Sequence, residues 1–182
     1  GGKITYLANI MGLWMIQSVR KELASELGFG EISELASKQT ITSLVEANDP
    51  RFLAPDSMTV EVQKACKERG QQVPQGIAEV ACVIYNSLAK CYADTVKEIE
   101  GLTGRHYERI HVVGGGANAD YLNKLTAKAT GKTVYAGPGE ATAIGNICAQ
   151  MIAAGELTDL KDARQCIAQS FEINRYGGKK EC

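Results

Sequence analysis

The run Arg109-Ile110-His111-Val112-Val113 is short, apolar and β-branched, and it leads straight into Gly114, Gly115 and Gly116, then Ala117 and Asn118. Such a run reads as a strand. A glycine has no Cβ, so a ligand approaches its backbone more closely than at any other residue. Beyond the glycines, Tyr121, Leu122 and Leu125 share one side of a predicted helix over 118–130. Strand, glycine turn and helix in that order can seat a nucleotide against main chain.

Three readings of the turn compete. Gly114-Gly115-Gly116-Ala117-Asn118-Ala119 formally satisfies the dinucleotide fingerprint G-x-G-x-x-A. That fingerprint needs an acidic residue at the end of a second strand, ~20 residues on, to hold a ribose. Here the predicted second strand, Thr133 to Ala136, ends in Gly137-Pro138-Gly139, with Glu140 beyond it at a helix start. The chain also supplies too few strands for such a sheet. The second reading is a tight turn with no ligand. The third is an ATP site in which the turn lies against adenosine and not against the pyrophosphate. No G-x-x-x-x-G-K-[ST] sequence occurs, which excludes P-loop chemistry. Spacing alone leaves the second and third readings standing.

The elements that must position this turn follow from periodicity. A short strand is expected over Lys3 to Leu7 and a helix from Ile10 to about Leu27, with Leu13, Trp14, Ile16, Gln17, Val19, Arg20 and Leu23 defining its two faces. Gly28 and Gly30 are expected to end it, and a short helix follows near Ser33 to Lys38. Residues 46–58 are rich in turn formers yet carry Phe52, Leu53 and Met58, which predicts an ordered loop. A helix is expected over Thr59 to Arg69. The longest periodic segment is Gly76 to Glu100, where Ile77, Val80, Ala81, Ile84, Leu88, Tyr92, Val96 and Ile99 form one stripe, the pattern of a scaffold helix. Further helices are predicted over Glu140 to Ala153 and from a cap at Thr158 or Asp159 to about Gln169, after which the tail is charged.

Composition sets outer bounds. A chain of 182 residues with 45% hydrophobic content makes one domain or a little more. Lys plus Arg number 20 against 21 Asp plus Glu, so no long-range field draws in nucleic acid or an anionic membrane. No apolar run reaches the ~20 residues of a membrane span. The opening Gly1-Gly2, in place of methionine, reads as part of a longer chain, and no signal-peptide pattern is seen. The six cysteines form no CxxC pair or Cys–His cluster, so zinc is not expected, and they read as small buried hydrophobes in a reducing compartment. Cys66 and Cys82 remain one candidate pair, should the helices flanking Gly70 to Gly76 fold back on each other.

Ile110-His111-Val112-Val113-Gly114-Gly115-Gly116 followed by Leu122-Asn123-Lys124-Leu125 resembles the adenosine motif of the FGGY carbohydrate kinases. Gly137-Pro138-Gly139-Glu140-Ala141-Thr142-Ala143-Ile144-Gly145-Asn146 resembles the segment after it in that family. Asn9-Ile10-Met11-Gly12-Leu13-Trp14 with Gln17, Asn48-Asp49-Pro50-Arg51-Phe52 with Pro55-Asp56-Ser57-Met58, and Ile84-Tyr85-Asn86-Ser87-Leu88-Ala89 resemble the rhamnulokinase branch. The likeness runs from Lys3 to about Tyr176.

The resemblance implies an α/β, helix-rich chain: the C-terminal lobe of an actin-like, ribonuclease H-like ATPase, truncated at its N-terminal strands, with residues 1–182 as one nucleotide-binding domain. It implies transfer of the γ-phosphate of ATP to the 1-hydroxyl of L-rhamnulose with Mg²⁺, in the cytoplasm, together with a preceding lobe. By the same resemblance Gly114, Gly115, Gly116, Ala117 and Gln17 would meet the nucleotide and Asn9 the sugar. Without a ligand, Gln17 is an ordinary exposed helix residue and Asn9 an N-cap. Trp14 is expected in the core, and His106 and His111 are expected to be structural. The phosphate loops and acceptor base of the family would precede Gly1, so no catalytic base or metal ligand is nominated and this chain alone is expected to be inactive. A kinase for another ketose or polyol, or a non-catalytic nucleotide-binding or interaction domain, is the alternative. Missing strands would leave one edge of Arg109 to Val113 uncovered, to be masked by self-association or by Lys3 to Leu7 as a substitute strand.

Overall fold

A computed structural model describes residues 5–178, which form two compact units, one ending at His106 and the other starting at Tyr107. The first is helical. Around the long helix α4 (Gly76–Thr103) pack α1 (Trp14–Leu23), α2 (Phe29–Ser37) and α3 (Met58–Glu68). The N-terminal half of α4 is buried on every side, Val80 through Tyr85 without a break, where periodicity predicts only a stripe. Phe52 and Met58 have no exposed surface, and each such burial stabilises by about 1.5–3 kcal/mol.

Polar side chains tie the irregular segments to this core. Ser87, 1% exposed, donates to Val83 O at 2.6 Å and accepts from Val45 N–H at 2.9 Å. Gln71 bonds Leu44 in both directions, accepting its N–H at 2.7 Å and donating to its carbonyl at 3.0 Å. Residues 46–58 are ordered, as expected. Asp49 accepts from Arg51 N–H at 3.0 Å and caps the 3₁₀ turn Pro50–Phe52, while the Arg51 guanidinium reaches Glu68 of α3 at 2.8 Å.

Helix α1 is shorter than its periodicity. Arg20 donates from Nε to Leu27 O at 2.6 Å and from Nη2 to Ser25 O at 2.9 Å, folding residues 24–27 back as a turn. Gly28 is therefore not the stop of α1 but the N-cap of α2, where its N–H meets the Glu31 carboxylate at 2.8 Å. The carboxylate of Glu22 accepts from Ser57 Oγ and from the N–H groups of Met58 and Thr59 at 2.9, 2.7 and 3.0 Å, closing the N-terminus of α3.

The second unit is α/β. Strand β1 (Arg109–Val112) leads through a 3₁₀ turn (Gly114–Asn118) into α5 (Asp120–Thr130), and β2 (Thr133–Ala136) into α6 (Ala141–Ala153) and α7 (Leu160–Ser170). Strands β1 and β2 are parallel in the register Arg109–Thr133 to Val112–Ala136, the connection that a crossover helix permits. The tail adds β3 (Asn174–Tyr176), antiparallel to β2, a strand that the charged sequence did not announce. The sheet order is β1-β2-β3, so among the described residues the outer edge of β1 is unpaired. The expected substitute strand does not form over Thr5 to Leu7; Lys3 and Ile4 lie outside the described residues.

Cys66 and Cys82 are both free and buried, so the candidate disulfide between them is not made. Cys91 and Cys148 are buried too, and burial pushes the thiols of Cys66, Cys82 and Cys91 up. No helix among the described residues is long and apolar enough to cross a membrane.

Candidate nucleotide and sugar sites

In the second unit the three glycines of the turn sit in three different settings. Gly114 sits at φ +70°, a left-handed conformation that costs an L-residue roughly 1–2 kcal/mol, and its N–H donates to Pro138 O at 3.1 Å. A Cβ on Gly116 would stand 3.2 Å from Val112 Cγ1, so this position packs against its own strand. A Cβ on Gly115 would meet no atom within 4 Å. Neither conformation nor packing requires glycine at 115. Gly115 is exposed, and the space beside it is open.

The turn is held from behind. Asn123, 2% exposed, donates through Nδ2 to Gly116 O and Ala117 O, both at 3.2 Å. Sequence reasoning gave Asn123 no role, although a signal was present, since asparagine inside a helix is unfavourable unless its amide is used. The loop after β2 braces the other side. Gly137 N–H donates to Val112 O at 2.9 Å, and a Cβ on Gly137 would fall 2.7 Å from Glu172 O, so only glycine lets these segments approach. Below the turn, Asp120 pairs with Lys124 at 2.6 Å, and that hydrogen bond, with one from Tyr176, holds its carboxyl below the usual range. Burial and the same Asp120 contact push the Tyr176 hydroxyl up to about 12. His111 stacks on Tyr135 with centroids 5.4 Å apart and Arg109 lies 6.0 Å over that ring. His106 pairs with Glu100 at 3.0 Å.

In the first unit Asn9 is exposed and lies four residues ahead of the residue that caps α1, Leu13, which offers no side-chain cap. The N-cap alternative for Asn9 is thereby removed. Asn9 lines an opening of about 440 Å³ together with Ile10, Met11, Trp14, Asn48 and Leu53. Asn48 shapes it by accepting the Met11 N–H on Oδ1 at 3.2 Å across 37 residues of sequence. Trp14 is not in the core: it is 43% exposed, because the buried face of α1 is centred on Met15, Ile16 and Val19. Gln17 is exposed one turn further along α1, so its carboxamide is available to a ligand. Gly114, Gly115, Gly116 and Ala117 thus form one turn in the second unit, and Asn9 and Gln17 belong to the first.

Among the described residues no three His, Cys, Asp or Glu side chains gather as a metal site.

The chain is similar to known proteins over nearly its full length. Residues 1–154 match the model of the C-terminal domain of the FGGY family of carbohydrate kinases. The rhamnulokinase of Bacillus subtilis (strain 168) is 45% identical over 177 residues, covering 97% of this chain and 36% of that protein. The rhamnulokinase of Halalkalibacterium halodurans is 46% identical over 171 residues, 94% of this chain and 37% of that protein. That of Enterococcus faecalis is 45% identical over 176 residues, 95% of this chain and 36% of that protein. The chain therefore spans little more than a third of the length of these relatives. Its match to the family model, with the strand, glycine turn and helix in order, makes the chain a member of the FGGY family of carbohydrate kinases, corresponding to its C-terminal domain.

Proposed function

We propose that this chain is the nucleotide-binding part of a longer ATP-dependent sugar kinase, and that the sugar is L-rhamnulose, phosphorylated on its 1-hydroxyl. The observation that carries the nucleotide role is the match of residues 1–154 to the C-terminal domain of the FGGY carbohydrate kinases, with the exposed Gly115 at the strand-to-helix turn and open space beside it. The rhamnulokinase relatives support the sugar. On this reading the fold is the C-terminal lobe of an actin-like ATPase, with a preceding lobe as partner and the cytoplasm as location.

Phosphoryl transfer rests on positioning and on charge stabilisation, with a base to take the hydroxyl proton. The residues of this chain bear on positioning. Gly115 and Ala117 present backbone to adenosine, Asn123 keeps that backbone in place, Gln17 offers a carboxamide that both donates and accepts, and Asn9 does the same for sugar hydroxyls. Mg²⁺, when bound with ATP, neutralises phosphate charge; no residue here is assigned to hold it. Closure of a second lobe over the bound pair would keep water from competing with the sugar.

The test is a coupled kinase assay on the longer protein with Mg-ATP and L-rhamnulose, xylulose or glycerol. Turnover with preference for L-rhamnulose is expected, and none from the 182-residue chain alone. A clear preference for xylulose or glycerol moves the protein to a sister kinase. Nucleotide binding without turnover of any sugar makes it a non-catalytic binding domain.

A further inference from the structure

The opening around Asn9 has a mixed lining: the carboxamides of Asn9 and Asn48 together with Ile10, Met11, Trp14 and Leu53. Asn48 spends its oxygen on Met11 N–H, whereas Asn9 has no hydrogen-bond partner among the described residues. The loop over 46–58 buries two of its three large apolar side chains, Phe52 and Met58, completely, yet leaves Leu53 69% exposed at the rim of this opening. Trp14 is exposed at the same place, and it is the only tryptophan of the chain. Exposed apolar groups gathered around a concavity with a few polar groups mark a ligand seat, and about 440 Å³ is within the usual range of such seats.

Resting on the sugar-kinase reading, we propose that Trp14 and Leu53 form an apolar wall that receives the terminal methyl group of a 6-deoxyketose while Asn9 takes its hydroxyls. The wall then decides which ketose is preferred. L-Fructose differs from L-rhamnulose only by a hydroxyl on that terminal carbon. Pressed against the indole and the leucine, this hydroxyl loses its hydrogen bonds to water and finds no replacement, whereas a methyl gains by leaving water. An apolar surface rejects an added hydroxyl by at most about 10²-fold, and this opening is partly wet, so a preference of roughly 10- to 100-fold is expected.

The experiment is a comparison of kcat/KM for L-rhamnulose and L-fructose in the longer protein, its Trp14→Ala and Leu53→Asn variants, and the double variant. Both side chains are exposed, so the substitutions leave the core untouched. The expected result is that the rhamnulose-to-fructose ratio falls about tenfold in the double variant, through KM for L-rhamnulose, with KM for ATP unchanged. An unchanged ratio overturns the wall, and so does a rise in KM for ATP alone, which would give Trp14 to the nucleotide. Failure of the unaltered protein to phosphorylate L-rhamnulose instead removes the function on which the wall rests, so the two failures are read from different proteins.

Discussion

Replacing Gly115 by valine separates a turn that binds from a turn that only bends. A Cβ at this position meets nothing within 4 Å, and its φ is not in the left-handed region, so the folded state should change by no more than about 0.5–1 kcal/mol. A nucleotide resting on the backbone is held by atom contacts at roughly 3.5–4.0 Å, and valine places three carbons inside that layer. Overpacking of this kind costs about 1–3 kcal/mol, which converts to a loss of roughly 5- to 150-fold in ATP affinity. The neighbours are the controls. Gly114→Ala should lose about 1–2 kcal/mol of stability through its φ of +70°. Gly116→Ala should lose about 1 kcal/mol, because its Cβ lands 3.2 Å from Val112 Cγ1. Calorimetric ATP titration of the longer protein, paired with urea unfolding, reads both quantities. A folded Gly115→Val protein whose ATP affinity stays within twofold of the original would refute the assignment of that space to the nucleotide.

Other expectations follow from the same structure. Asn123→Ala leaves Gly116 O and Ala117 O without their buried donor and should cost about 1–3 kcal/mol in urea unfolding, with weaker ATP binding; equal stability would mean that the turn holds itself. Burial raises the Glu22 carboxyl, but its bonds to Thr59, Met58 and Ser57 outweigh that, so its pKa is lowered. Its contribution is present above the unfolded value near 4.5 and lost as pH falls below it. Glu22→Gln should accordingly flatten the acid limb of the stability curve, and an unaltered limb would contradict the cap. The raised Tyr176 hydroxyl favours the folded state below about pH 10, and this is lost as pH rises towards 12. Tyr176→Phe should remove that alkaline dependence in a pH-resolved urea titration. Cys66, Cys82 and Cys91 should resist thiol reagents until the chain unfolds, whereas the half-exposed Cys166 reacts in the native state; early labelling of Cys82 would show a looser α4.

Strand β2 was read to the residue, and α5, α6 and α7 to within two, because their apolar periodicity and caps are local signals. What local signals could not show was settled by distant partners. Arg20 ends α1 by reaching carbonyls five and seven residues on, although the apolar pattern continues to Leu27. Asn174-Arg175-Tyr176 becomes a strand because Ala136, Tyr135 and Val134 stand beside it, not because of its own pattern. Trp14 was assigned to the core since a helical stripe says which residues share a side, but not where along that stripe the neighbouring helix touches. The glycine turn, Gln17 and Asn9 were named from the sequence. Asn48 and Asn123, which hold the loops that carry them, stand in the quoted motifs but had no role there, for a carboxamide's partner is invisible until the chain is folded.

Those two asparagines solve one physical problem. A loop that is to contact a ligand cannot use regular secondary structure to satisfy its backbone, yet backbone groups left unpaired and shielded from water are costly. In the second unit Asn123 supplies donors to the carbonyls of Gly116 and Ala117 from the buried side of the turn. In the first unit Asn48 supplies the acceptor for Met11 N–H, two residues after Asn9. In each unit an asparagine side chain satisfies the main chain, from the buried side of the turn at Asn123 and from the lining of the opening at Asn48. A loop fixed in this way loses little further entropy when its ligand arrives, so more of the contact energy appears as affinity. Loosening Asn123 should therefore weaken ATP binding without altering any group that touches the nucleotide.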